Sequence, residues 1–297
     1  MNAQAETSSV SPPVADQDGA KQAPPKILGE AAKRRLTLEK YLRERRRRPS
    51  HVFVTEDAHR AVEIKSLTLD MAGAGSRPFT HRGSDADYGV IDQIFVNEDY
   101  SPDHLVSRSA DLRRSYYEIL KAGKIPLIVD AGANIGASAL YFLHQYPKSQ
   151  ITAIEPDHGN CDLFLKNTAG LNVDLHQAAI GARAGHVNLF DPGEGEWAFR
   201  TLPDPKGKIP VVAMNDLVES KLTEGYAPLI VKIDIEGAED TLFDEPNEWV
   251  NLFPVLIIEL HDWLLPKKRT SQGFLKCIAN LDRDFIYANE NIFSIRN

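Results

Sequence analysis

The run Ile128-Val-Asp-Ala-Gly-Ala-Asn-Ile-Gly-Ala-Ser138 constrains this chain more than any other. It grows out of an apolar stretch, Ile125 to Val129, interrupted only by Pro126. It turns on Asp130, Gly132 and Gly136, then continues as the helix-like pattern Ser138-Ala-Leu-Tyr-Phe-Leu143. A buried strand, a glycine-bearing turn and a helix, in that order, open a parallel α/β sheet. The glycines let backbone approach a neighbour closely, and the helix start offers free N–H groups.

The chain downstream repeats the alternation. Strands are expected at Ile151 to Glu155, Val173 to Ile180, Pro228 to Asp234 and Pro254 to Leu260. Helices are expected at Ile135 to Gln145, His158 to Ala169, Asn215 to Leu222, Ala238 to Phe243 and Ser271 to Leu281. Two further β-like runs are His186 to Phe190 and Ile209 to Ala213, and Phe285 to Ile295 reads as a hairpin turning near Asn289 to Asn291. Near-continuous apolar strands alternating with helices imply a mostly parallel sheet covered on both faces, with one antiparallel strand added at the end. Residues 124–297 form this domain. Residues 51–123 read as an extension packing on it. A weak alternation at 51–66 suits a strand or hairpin, Tyr88 to Phe95 suits a strand or buried helix, and Asp111 to Ala122 suits a helix ended by Gly123.

Residues 1–25 are polar, without periodicity, and read as a disordered tail with no apolar signal segment. Residues 26–50 read as a basic helix, holding ten Lys or Arg against three acids, a balance of +7. The net charge is −8, so the remainder carries −15. An acidic body argues against specific nucleic-acid binding, while Lys33 to Arg48 offers a contact for an anionic membrane surface or a partner. No run of about 18 apolar residues is present, so no membrane span is expected. Two cysteines, Cys161 and Cys277, make a disulfide framework unlikely and the cytoplasm the default, with a peripheral position at the inner membrane face open to the basic helix.

Ligands of such sheets bind at the carboxyl ends of the strands. Asp130, Glu155 and Asp234 each close one. Set against the dinucleotide pattern Gly-x-Gly-x-x-Gly, Gly132 is followed by Asn134 and Ala137. Asn134 fits poorly where a pyrophosphate presses on the turn, so an NAD(P)-dependent oxidoreductase is the disfavoured alternative. A carboxylate at the mouth, Asp130, suits a cationic amino-acid tail and points to S-adenosylmethionine. Glu155 is placed to accept hydrogen bonds from ribose hydroxyls.

Asp130-Ala-Gly-Ala-Asn-Ile-Gly136, Ile154-Glu-Pro-Asp157 with Asn160 and Asn167, Lys232-Ile-Asp-Ile-Glu-Gly-Ala-Glu239 and Ile258-Glu-Leu-His261 together resemble the FkbM family of methyltransferases. The match spans Val129 to His261. Upstream, Arg82-Gly-Ser-Asp85, Gln93-Ile-Phe95 and Tyr100 resemble a segment that precedes the core in that family. The resemblance implies a Rossmann-like class I methyltransferase sheet of about seven strands. It implies S-adenosylmethionine as cofactor and O-methylation of a hydroxyl on a sugar, a glycan or lipid, or a natural product. Carried over by position, Asp130, Gly132, Asn134 and Gly136 form the methionine-side turn, Glu155 and Pro156 the ribose side, and Ile180 the adenine side. Asp234 sits between donor and acceptor.

Methyl transfer is an in-line displacement, and a hydroxyl acceptor needs a base. Asp234 and Glu236 follow the fourth strand, and Glu239 falls in a first helical turn where the dipole favours a carboxylate. Glu259 and His261 alternate on the next strand and share a face, with His261 a candidate base. Asp234, Glu236, Glu259 and His261 are thus the expected catalytic set; the less favoured alternative is an oxygen-plus-imidazole set for Mg or Mn. The loop 192–208 offers Trp197 and Arg200 to the acceptor, and the pre-core segment offers Asp85 and Gln93. A third reading is a non-catalytic S-adenosylmethionine-binding module recruited by the basic N-terminal helix.

Overall fold

The computed structural model describes residues 53–57, 65–71, 75–190 and 200–297. The expected tail 1–25, the basic helix 26–50 with Lys33 to Arg48, and Trp197 lie outside the described residues. In chain order the elements are β1 (Phe53–Asp57), β2 (Lys65–Met71), β3 (Gly75–His81), α1 (Asp85–Ile91), α2 (Ser109–Lys121), β4 (Ile125–Ala131), α3 (Ala137–Gln145), β5 (Gln150–Ile154), α4 (His158–Asn167), β6 (Val173–His176), β7 (Ala179–Gly181), β8 (Gly185–Phe190), β9 (Arg200–Pro203), β10 (Ile209–Ala213), α5 (Met214–Thr223), β11 (Tyr226–Ile233), α6 (Glu239–Leu242), β12 (Val255–Glu259), α7 (Gln272–Ile278), β13 (Arg283–Ala288) and β14 (Asn291–Arg296). No helix among the described residues is long and apolar enough to cross a membrane.

Seven strands form the central sheet in the order β13-β14-β12-β11-β4-β5-β6. β12, β11, β4, β5 and β6 run parallel, and the terminal hairpin adds β14 antiparallel to β12. This is a Rossmann-like arrangement. The chain leaves β4 towards β5 and β6, then returns to its other side for β11 and β12, so the strand order reverses between β4 and β11. That reversal opens a crevice at the carboxyl ends of the two strands.

The strand residues explain the layering. β5 and β12 are buried at every position, as strands covered on both faces must be. On one face, Leu127, Val129, Ala131, Val231, Ile233, Leu256 and Ile258 pack with Trp249, Phe253 and Phe274 into the main core. The alternate residues look the other way. There the register sets Asp130 beside Lys232 and Glu259 beside Asn291, and Asp234 and Glu259 continue their strands past the Ile233–Ile258 pair. One face of the sheet is therefore apolar to its end, and the other ends in a row of polar groups.

Two elements differ from the expectation, and a third takes one of the two forms expected. Val173 to Ile180 is two strands: β6 stays in the central sheet, while β7 joins a second sheet in the order β7-β10-β8-β9. The chain breaks at Gln177 and Ala178, where the Ala178 N–H donates to Glu155 O (3.2 Å) and turns the backbone away. Periodicity does not distinguish one strand-like run from two. Tyr88 to Phe95 is helical, α1 running into a wider π turn over Asp92–Val96. The helix expected from Ile135 starts at Ala137, because Gly136 caps it in the left-handed region (φ 91°).

The segment before β4 is tied to the core by hydrogen bonds from α4. β3 is an outer strand of the sheet β1-β2-β3, and Asn167 meets its free edge. The Asn167 carboxamide accepts from Thr80 N–H (2.6 Å) and donates to Thr80 O (2.9 Å) and Ile135 O (2.8 Å). Asn167 is only 1 % exposed, so these partners have no water to fall back on. Asn167→Ala is expected to cost about 2–4 kcal/mol in urea unfolding, from three backbone groups left unpaired.

Candidate active site

The turn after β4 is shaped first by protein, not by ligand. Gly132 and Ala133 N–H donate to Ile154 O (2.9 and 3.1 Å), pinning the turn to the end of β5. Gly132 has φ 78°, and a Cβ there would lie 1.7 Å from Asp234 O. The end of β11 thus occupies the space a side chain would need, and glycine is required whether or not a ligand is bound. Asn134 also takes a left-handed conformation (φ 48°).

Asp130 stands apart from the expectation that its carboxylate meets a cationic ligand. It is fully buried, accepts from Ser138 Oγ (2.6 Å) and lies 3.5 Å from Lys232 Nζ. It does not line the cleft described next. Lys232, 2 % exposed, donates to Gly132 O (2.6 Å) and lies 3.5 Å from Asp234 as well. Burial works against this ammonium, yet Asp234 and Asp130 hold its pKa above the usual lysine value. The charge at the mouth of the turn passes through Lys232 to Asp234.

A cleft runs along the strand ends. One wall is apolar: Ile154, Ala178, Ala179 and Ile180, the last three leading into or lying in β7. Glu155, Pro156 and Asn160 form the middle, Gly132 and Asn134 the turn side, and Asp234, Ile235, Glu236 and Ala238 the far end. Glu155 is already engaged. It accepts from Asn134 N–H (2.9 Å), Asp157 N–H (2.9 Å) and Asn160 Nδ2 (3.2 Å), and burial raises its pKa against these bonds. A carboxylate offers about four acceptor sites, so roughly one remains for a ligand hydroxyl rather than two. Asn160 is held in turn by Arg82, whose Nη2 donates to Asn160 Oδ1 (2.9 Å) and to Asp87 Oδ1 (2.6 Å). The segment before β4 thereby braces the cleft.

At the far end, four carboxyls surround His261, which is 1 % exposed. His261 Nδ1 is 2.7 Å from Glu239 Oε1. His261 Nε2 is 3.4 Å from Glu236, and 3.6 Å from each of Asp234 and Glu259. The four residues singled out in sequence therefore share one cluster, and Glu239 joins it. Burial followed by repulsion from Asp234 pushes Glu236 and Glu259 up to about 8. Burial alone would lower His261, but the Glu239 hydrogen bond and the surrounding carboxylates outweigh it and raise it to about 10. The surrounding carboxylates thus favour the charged form of His261. Glu236 sits at φ 54°, a strained position for a side chain of this kind, beside Gly237 at φ 99°.

Other expected contacts fall elsewhere. Asp85 is exposed in the first turn of α1 and Gln93 lies in the π turn; neither lines the cleft. The backbone of Arg200 is in β9, with β8 and β10 between it and β7. Several neighbours of the cluster were not marked by spacing. Tyr100 stacks on Phe142 (5.7 Å between ring centres), lies 5.8 Å from Lys232 Nζ, and is held protonated by burial and by Asp234, Asp130 and Glu259. Trp263 is 63 % exposed with its ring 6.5 Å from that of His261. Asn291 is 1 % exposed beside Glu259, with neither carboxamide atom hydrogen-bonded. A lone aromatic or amide in a loop or strand carries no periodic signal, and only its neighbours in space reveal it.

No family model matches the sequence. The chain is 29 % identical over 144 residues to Methyltransferase 1 of Beauveria bassiana, covering 47 % of this chain and 57 % of that protein. It is 32 % identical over 125 residues to Methyltransferase sdnD of Sordaria araneosa, covering 40 % of this chain and 48 % of that one. The chain thus spans about half the length of the curated relatives it matches. Among solved structures, Methyltransferase FkbM from Methylobacillus flagellatus is 17 % identical with a TM-score of 0.38, over 58 % of this chain and 43 % of that one.

The ion pair behind the turn makes its own prediction. Lys232→Met leaves Asp130 buried without its cation and is expected to cost about 3–5 kcal/mol in urea unfolding. Adding Asp130→Leu should recover part of that loss, which a double-mutant cycle measures.

Proposed function

We propose that the protein is an S-adenosylmethionine-dependent methyltransferase that methylates a hydroxyl oxygen, of the FkbM type. The observation that carries the reading is the single cleft joining an apolar shelf and a buried acid to a carboxylate–histidine cluster at the strand ends. The motifs from Asp130 to His261 support it, as do the two partial relatives whose names are methyltransferases.

The residues fit the cofactor chemically. Ala178, Ala179 and Ile180 give an apolar surface for an adenine, and Glu155 retains an acceptor for a ribose hydroxyl. Asp234, rather than Asp130, supplies the negative field for a ligand carrying ammonium and sulfonium charges, with Glu236 beside it in the cleft. The same carboxylates oppose a pyrophosphate, which further disfavours a dinucleotide. S-adenosylmethionine, when bound, supplies a methyl group activated by its sulfonium.

The chain's own task is to hold an acceptor hydroxyl in line and take its proton. Glu236 lines the cleft, is 21 % exposed on its side chain, and has a pKa near the working range of a general base. It is the proton acceptor in this reading. Trp263, exposed beside the cluster, offers a flat apolar surface to a sugar ring or other cyclic acceptor.

A labelled methyl donor, incubated with the protein and a panel of glycans, lipids and small hydroxylated metabolites, tests the activity. Transfer to oxygen in at least one class is expected, and transfer only to nitrogen or carbon, or none, would overturn it. Once an acceptor is found, Glu236→Gln is expected to lower kcat by roughly 10²–10⁴. Affinity for S-adenosylhomocysteine, read by calorimetry, should change little in the same variant.

A further inference from the structure

The geometry points to a divalent cation site at Asp234, Glu259 and His261, oriented by Glu239. One ligand atom from each of the three lies within 4.8 Å of the others. His261 faces two ways. Its Nδ1 is within hydrogen-bonding distance of Glu239 Oε1 at 2.7 Å, and Glu239, fully buried, is also held by Gly237 N–H (3.2 Å). With an N–H at Nδ1 held by Glu239, a cation that displaces the Nε2 proton would meet a lone pair aimed at the cluster. This is the carboxylate–histidine arrangement that fixes the ring nitrogen presented to a metal.

What Nε2 meets is three carboxylate oxygens at 3.4–3.6 Å, with no hydrogen bond to any of them. Ligand atoms in adjacent positions of an octahedral ion with bonds of about 2.1 Å are separated by about 3 Å. The nitrogen–oxygen gaps to Asp234 and Glu259 are about half an ångström wider than that, and no two ligand atoms of the set are more than 4.8 Å apart, so an ion would draw the three side chains together. The cations beside these acids are the charged form of His261, which an ion would replace, and Lys232. Lys232 is shared between Asp130 and Asp234 and lies beyond the ring of oxygens around Nε2.

A second observation is independent of the acids. Asn291, opposite Glu259 in the β12–β14 register, buries a carboxamide with both its nitrogen and its oxygen unpartnered. Such a group is costly unless something in the site, a coordinated water or an acceptor oxygen, completes it. Two carboxylate oxygens with one imidazole suit Mn²⁺ best, with Mg²⁺ next, since oxygen ligands favour hard ions and the imidazole a softer one. Asp234 has a side chain 21 % exposed while Glu259 and His261 are buried, so the open coordination positions face the cleft. There the ion would polarise an acceptor hydroxyl and ease transfer of its proton to Glu236. That role rests on the methyl-transfer reading, whereas the ion site itself does not.

The test is titration of the full chain with Mn²⁺ alone, followed by electron paramagnetic resonance of the free ion. One ion should bind per chain, with binding lost in Glu259→Gln and in His261→Ala. Glu239→Gln, which touches no ion, should weaken it by roughly 10–100-fold. Circular dichroism on each variant confirms folding, and Asp234→Asn serves where either substitution fails to fold. No binding to the folded wild-type chain, or binding unchanged in these variants, would overturn the site. S-adenosylhomocysteine titrated into the same samples separates the two readings. Donor binding without Mn²⁺ binding refutes the ion site alone, and Mn²⁺ binding without donor binding supports the ion site while refuting the donor site.

Discussion

Everything at the strand ends depends on how closely β4 and β11 approach. Gly132 lies so near Asp234 O that no side chain fits between them, and Lys232 reaches across to Gly132 O while facing Asp130 and Asp234. The two parallel strands are thus joined past their ladder by one ammonium and one missing side chain. This junction is where the strand order reverses, and it sets the position of Asp234. Asp234 in turn lies beside Glu259 on the next strand, and from there the cluster extends to His261 and Glu239. A displaced turn would move every acid in the cluster.

The polar row is costly and is not explained by stability. Asp130, Lys232, Glu239, Glu259, His261 and Asn291 are all less than a tenth exposed. Each burial is unfavourable unless matched, and Asn291 and one oxygen of Glu239 remain unmatched among the described residues. The opposite face of the same strands is a continuous apolar core. A sheet built only to fold would be apolar on both faces, so the asymmetry marks a site.

Much of this was legible in the sequence, for physical reasons that differ by residue. Apolar runs ended by acids identify strand termini, so Glu155, Asp234 and Glu259 could be placed without a structure. His261 followed because alternation puts it on the face of Glu259. The burial of Asp130 was not legible, because sequence shows an acid at a turn but not which side of the sheet it faces. The register with Lys232 decides that. The break between β6 and β7 was hidden in one strand-like run, yet it creates the apolar wall of the cleft. Trp263 and Asn291 acquire meaning only from neighbours distant in sequence, as does the link from Arg82 through Asn160 to Glu155.

The central claim is that one cleft holds a methyl donor with its reactive end at the acid–histidine cluster. A crystal structure of the protein with S-adenosylhomocysteine tests it most directly. The account requires the adenine against Ala178 to Ile180, a ribose hydroxyl on Glu155, and the sulfur directed towards Asp234 and Glu236. A ligand bound outside this cleft, or bound within it with the sulfur pointing away from those carboxylates, would contradict it.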